Sequence, residues 1–218
     1  MHPTRPNGLT APNLAALEWL EHGFGFRDTE YPAGITTVRQ IHSCAVVHAD
    51  GVGGDKIADA DALVTAQSGM LVGIRTADCV PVLLADRRTR AVSAIHAGWR
   101  GTAGQIVLAA LEQMAAKFGT RSADVVAAVG PSIGRCCYEV GPEVARQFGT
   151  WFPDLEQAAG PTKIDLQSIN AAQLKAAGVS DVWVSGECTQ CAVDRYFSFR
   201  REKEKAGRML SFIGTRMA

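Results

Sequence analysis

Apolar and polar positions divide this chain into short extended runs and a few helical stretches. From Met70 to Ala97 three apolar runs, MLVGIRTAD, VPVLLAD and AVSAIHAG, are separated by a break near Cys79 and by the turn sequence DRRTR, a pattern that predicts consecutive strands. Cys79 and His96 then fall at strand ends. Upstream, Ile35 to Val47 is rich in β-branched residues and reads as one strand carrying Gln40 and His42 near its middle, closed by the glycine-rich loop Gly51 to Gly54. Leu14, Leu17 and Leu20 recur at near-helical spacing after Asn13 and predict a short amphipathic helix over Pro12 to Glu21.

Downstream, the glycines of AGWRGTAG mark a tight passage into a helix whose apolar face is Ile106, Ala110, Leu111, Met114 and Phe118. An apolar strand, VVAAVG, follows, then the loop GPSIGRCCYEVG, a helix starting near Pro142, and a helix over Leu166 to Ala177 that Asp165 can cap. DVWVSG and MLSFIG return the chain to strands. With no internal repeat, linker or low-complexity tract, the pattern predicts a mixed α/β (α+β) class and one domain over residues 1–218, with 1–10 as a frayed lead-in.

A length of 218 residues with 47% hydrophobic and 20% charged positions suits one large core. Lysine plus arginine equal aspartate plus glutamate at 22 each, so no net field recruits nucleic acid or an anionic membrane. Arg75, Asp78, Asp86 and Arg87 interrupt the most apolar region, which excludes a membrane span there. Met1 to Thr10 lacks the basic start and apolar run of a secretory signal, so a cytoplasmic protein is expected, as a monomer or weak homodimer. In that setting the six cysteines read as reduced thiols or metal ligands.

His42, Cys79 and His96 match the ligand types and count of a catalytic zinc site that leaves a fourth position open. Taken alone, residues of these types are more often hydrogen-bonded core histidines and a small buried thiol. A further alternative makes Cys79 a nucleophile activated by His96, with His42 orienting the pair. Asp78, beside Cys79, is a candidate to orient a ligand or move a proton. Arg100, Arg195, Arg200 and Arg201 offer forks for a phosphate, most of them as surface charges. The rival metal site is the C-x-x-C pair Cys188 and Cys191, joined by Cys136 and Cys137 into a four-thiolate structural zinc. Adjacent residues in an extended segment point in opposite directions, so that vicinal pair reads as a poor chelate.

The segments RQIHS (39–43), TADCVPVLLAD (76–86), HAGWRGTAG (96–104), GPSIGRCCYEVG (130–141) and ECTQCAVDRYFSFRRE (187–202) together resemble the YfiH family, also called the laccase-domain, polyphenol oxidase or peptidoglycan-editing-factor family. The resemblance runs in order from about His22 to Gly214. It implies that the family's metal ligands, in Q-[IV]-H, A-D-C and H-A-G-W-R-G, correspond to His42, Cys79 and His96. It also implies zinc, a single-domain four-layer α/β/β/α sandwich, and purine nucleoside phosphorylase activity on adenosine, inosine and methylthioadenosine, with adenosine deamination. A zinc-bound water with its pKa lowered to about 7 suits attack on the purine C6. Phosphorolysis needs in addition a phosphate cradle near the ribose C1′, for which Arg27, Gln40 and Arg100 are the candidate contacts. Family members carry a longer region between an HGF-x-x-R start and the Q-[IV]-H segment. Here HGFGFR (22–27) runs almost directly to RQIHS, with Arg27 at its start, so this chain departs from the family at the phosphate side.

Two other functions compete. The peptidoglycan-editing name implies a hydrolase acting on a cell-wall precursor through the same His/Cys/His site. The laccase name implies a copper polyphenol oxidase, but multicopper oxidases use many histidines, commonly in H-x-H pairs, and this chain has five and no such pair.

Overall fold

Successive residues of a strand face opposite sides of its sheet, so a run buried throughout needs a layer on each side. In the computed structural model, which describes residues 8–51 and 53–216, such runs form the middle of the molecule. Strands β1 (Leu20–Phe24), β2 (Thr36–Thr37), β5 (Leu71–Thr76) and β12 (Met209–Thr215) make a four-stranded sheet in the order β1-β12-β5-β2. A six-stranded sheet runs β11 (Asp181–Val184), β8 (Val125–Val129), β6 (Val80–Asp86), β7 (Val92–Ala97), β4 (Ala62–Thr65), β3 (Val46–His48). A small ribbon pairs β9 (Glu139–Val140) with β10 (Thr162–Lys163).

The six-stranded sheet divides its side chains between two cores. Val80, Val82, Leu84 and Ile95 pack with Ile106, Val107, Ala110 and Met114 of the helix Ile106–Phe118, and with Ile169 and Leu174 of the helix Leu166–Ala176. Leu83, Ala85, Val92 and Ala94, of opposite parity, pack against Val72, Ile74 and Ile213 of the four-stranded sheet. Each fully buried aliphatic side chain contributes about 1.5–3 kcal/mol. His96 continues the parity of Val92 and Ala94, which places it where the inter-sheet core ends.

Both helices carry defined caps, the second at its start as the sequence predicts. Gly119, at φ 67°, closes the first by donating to the carbonyl of Ala115. The side chain of Asp165 caps the second through the Ser168 amide at 3.1 Å. Asn170 and Gln173 then tie this helix to Thr102, 3.0 Å to its hydroxyl and 2.9 Å to its carbonyl, fixing the short helix Trp99–Ala103 that follows His96.

Three local expectations are corrected. The helix expected over Pro12 to Glu21 spans only Pro12–Ala15, because Leu20 onward pairs with β12 as β1. The strand expected over Ile35 to Val47 is interrupted: Gln40 and His42 lie between β2 and β3, outside either sheet, and His42 adopts a left-handed φ of 59°. Of the lead-in expected to fray, residues 1–7 lie outside the described residues, while Leu9 is held by paired backbone bonds to Phe24 of 2.8 and 2.9 Å.

The protein is a mixed α/β fold of helices on stacked sheets. On the outer face of the four-stranded sheet, Gly73 and Leu210 are covered by the segment between β1 and β2, through Ile35 and through Tyr31, whose hydroxyl accepts from the Leu210 amide at 3.0 Å. Among the described residues no helix is long and apolar enough to cross a membrane.

Candidate metal centre and its cavity

His42, Cys79 and His96 converge at the end of the inter-sheet core. One ligand atom from each lies within 4.8 Å of the others, and the two imidazole rings meet edge to face with centroids 5.0 Å apart. His96 comes from β7, Cys79 from the turn entering β6, and His42 from the loop between β2 and β3.

The residue that unites them is Asp61, which no sequence motif had singled out. Its carboxylate is fully buried and accepts from the amides of Ile41, His42 and Ser43 at 3.3, 3.0 and 2.6 Å, and from the Ser43 hydroxyl at 2.8 Å. These bonds replace the strand ladder expected around His42 and hold its left-handed turn. Oδ1 of Asp61 also lies 2.8 Å from Nδ1 of His96. A donor Nδ1–H fixes the tautomer that turns a lone pair on Nε2 towards the centre.

The electrostatics fit a cation. Burial raises the Cys79 thiol, but hydrogen bonds from His42 and His96 outweigh it and bring the group down to about 6. Burial lowers His96, yet its bonds to Asp61 and Cys79 carry it up to about 9. Burial likewise raises Asp61, and the bonds from His96 and Ser43 bring it down to about 2. The cluster thus gathers negative charge around two imidazoles, which a divalent ion neutralises in place of protons. Gly98 leaves the space: a Cβ there would stand 3.2 Å from Cys79 Sγ and 3.3 Å from His42 Cδ2. The donor set and this cradle fit a metal ion.

The centre opens on a cavity of about 630 Å³. Its wall carries Lys56, Arg75, Arg100, Arg200, Lys203 and Arg208 against one carboxylate, Asp78, together with the rings of Trp99, Tyr138 and Phe199. Arg75 is paired with Asp55 at 2.9 Å. Arg100 stacks over Trp99 at 4.3 Å and has no acidic partner among the described residues. Burial, with the nearby Cys79 second, pushes the Tyr138 phenol up to about 12, so it remains protonated at neutral pH.

The other expected site residues fall in different places. Gln40 lines the cavity, its amide paired both ways with the backbone of Arg75 at 2.7 Å. Asp78, at φ 84°, also borders the cavity, but its oxygens accept from Thr189 at 2.6 Å, from Ser198 at 3.0 Å and from the Arg200 amide at 2.6 Å, so it braces the wall. Arg27 is outside the cavity: it donates to the Val193 carbonyl at 2.8 Å and lies over Phe197. Arg195 pairs with Glu187, and Arg201 donates to the carbonyls of Thr189, Gln190 and Tyr196.

Cys136 and Cys137, which the sequence presents as a poor chelate, are brought together with Cys188 and Cys191. The four sulfurs of Cys136, Cys137, Cys188 and Cys191 lie within 4.8 Å of one another. The vicinal pair sits in a turn in which Cys137 and Tyr138 both donate to the Gly134 carbonyl at 2.9 Å, so its side chains diverge by roughly the helical step of about 100°.

Fold and site together define a mixed α/β protein with a His/Cys/His metal-binding group at the mouth of a basic, aromatic-lined cavity. The chain belongs to the family described as multi-copper polyphenol oxidoreductase laccase, whose model matches residues 23–216. A purine nucleoside phosphorylase of Deinococcus radiodurans is 44% identical over 182 residues, covering 81% of this chain and 68% of the relative. The adenosine deaminase RL5 of an unknown prokaryotic organism is 38% identical over 191 residues, covering 80% and 72%. The crystal structure of YlmD from Geobacillus stearothermophilus superposes with a TM-score of 0.83 at 27% identity, covering 94% of both chains. As for the copper in the family's description, the remaining described histidines stand apart from the centre: His22 accepts from the Ala11 amide and His48 packs on Phe118.

Proposed function

We propose that this protein is a zinc-dependent purine nucleoside phosphorylase that also deaminates adenosine, with adenosine, inosine and methylthioadenosine as substrates. The observation that carries this reading is the sharing of one cavity by a three-ligand centre, three aromatic rings and a basic wall. A flat purine suits Trp99, Tyr138 and Phe199, and an anionic phosphate suits Arg100, Arg200 and Lys203. His42, Cys79 and His96 would hold the ion, which when bound supplies Lewis acidity and makes a water acidic enough to react near neutral pH.

The protein's own groups do the remaining work. In phosphorolysis a phosphate oxygen forms a bond to C1′ while the glycosidic bond breaks and the purine leaves with its electron pair. Arg100, unpaired by any acid among the described residues, holds and orients the phosphate dianion. The protonated Tyr138 phenol offers a hydrogen bond to base or sugar. Asp61 keeps His96 in one tautomer, and Asp78 fixes the segment bearing Phe199 and Arg200. In deamination the same cavity holds the base so that water adds at C6 and ammonia departs.

Zinc-loaded protein incubated with adenosine and phosphate is expected to release adenine and ribose 1-phosphate, and inosine from the deaminase reaction. Release of neither purine, under conditions in which a family member turns over, overturns the proposal.

A further inference from the structure

Outside the cavity the most concentrated chemistry is the cluster of four thiols. Its sulfurs are drawn from two turns that are distant in sequence. Cys136 and Cys137 lie in the turn closed on the Gly134 carbonyl, and Cys188 and Cys191 lie in a turn closed by the Ala192 amide donating to Cys188 at 3.0 Å. A bridge between Ser132 and Cys188 sets the two turns side by side. Tetrahedral thiolates at ~2.3 Å from a zinc ion stand ~3.8 Å from one another. Here Cys191 Sγ is 3.7 Å from Cys136 Sγ and 3.4 Å from Cys137 Sγ. The Gly134 amide donates to Cys188 Sγ at 3.2 Å, and a Cβ on Gly134 would meet Cys188 Cβ at 3.1 Å, so the glycine is required for this approach.

We propose that Cys136, Cys137, Cys188 and Cys191 bind one zinc ion as a closed tetrathiolate site, separate from the His/Cys/His centre. All-thiolate ligation selects soft or borderline metals, and four ligands leave no open position, which makes the site structural. The sulfurs are too close together for a multinuclear iron–sulfur cluster, whose thiolates bind different iron atoms. The ion joins the loop carrying Ile133 and Tyr138 to the segment carrying Phe199 and Arg200, two walls of the cavity. Arg200 spans the same gap, lying 5.4 Å over the Tyr138 ring and donating to the Glu139 carbonyl at 3.3 Å. The site thereby sets the separation of those walls.

Metal analysis is expected to give about two zinc ions per chain, with Cys191→Ser and Cys79→Ser each losing about one. Because Cys191→Ser can lose its fold along with its metal, the deciding sample is Cys79→Ser loaded with cobalt(II). There the His/Cys/His centre has no thiolate, so a thiolate-to-cobalt charge-transfer band must come from the four-cysteine cluster, and stripping that cobalt is expected to lower Tm. Absence of the band, or wild-type metal content in folded Cys191→Ser, overturns the proposal. Neither readout depends on turnover, so failure of the nucleoside reaction leaves it standing.

Discussion

Oδ1 of Asp61 lies 2.8 Å from Nδ1 of His96 and 3.0 Å from the backbone nitrogen of His42, so one buried carboxylate orients two imidazoles of the centre. Asp61→Asn keeps the shape and removes the charge. Zinc affinity is expected to fall about 10- to 100-fold, measured by chelator competition, with the circular dichroism spectrum unchanged. Asp61→Ala should in addition destabilise the fold, since the buried His96 ring nitrogen left without its partner costs about 1–3 kcal/mol. Tight zinc binding by Asp61→Asn would show that the ligands orient themselves.

Gly98→Ala places a methyl group 3.2 Å from Cys79 Sγ and 3.3 Å from His42 Cδ2 at an ordinary backbone conformation, φ −69°. Metal occupancy and turnover are expected to fall together while Tm changes little. A large loss of Tm with full occupancy would assign the glycine to packing instead.

Arg100→Ala is expected to raise KM for phosphate about tenfold, equivalent to about 1.4 kcal/mol, with a smaller change in KM for the nucleoside. Arg27→Ala, on a side chain committed to Val193 and Phe197, should leave KM for phosphate unchanged. Steady-state kinetics with varied phosphate distinguishes them, and the reverse ranking would move the phosphate site towards Arg27.

The contrast between Arg27 and Arg100 illustrates what was readable in advance. His42, Cys79 and His96 are uncommon donor types in recognisable segments, and the strands from β5 to β7 announce themselves by apolar runs between turn residues. Asp61 does not. It lies in the sequence DADALV, where a carboxylate before a strand resembles a turn residue, and its role depends on amides about twenty positions upstream meeting it in space. The only local sign is its position immediately before the buried run Ala62–Thr65. The geometry of Cys136 and Cys137 is hidden for a related reason: chelation depends on whether the backbone turns, and GRCCYE reads as neither strand nor helix.

His22 offers a pH test away from the centre. Burial, assisted by the charge of Arg216, holds its ring down at about 4 against the ordinary 6.5, while Nε2 accepts from the Ala11 amide at 3.0 Å. The folded state therefore favours the neutral ring. This contribution is complete above about pH 6.5, declines as pH falls towards 4, and totals about 3 kcal/mol. Urea unfolding at a series of pH values is expected to show that decline in wild type and a flatter profile in His22→Gln. Equal slopes would assign the acid sensitivity to other groups.

The loop that carries His42 is anchored from Ile41 to Ser43, downstream of every residue in the stretch where this chain runs almost directly from HGFGFR to RQIHS. Of the described residues before Gln40, only Val38 and Arg39 line the cavity, so the length of the preceding stretch can change without loosening the turn that carries His42. The grip on the His42 turn comes from a carboxylate about twenty positions further along the chain, so the position of this ligand is insulated from the length of the stretch that leads into it.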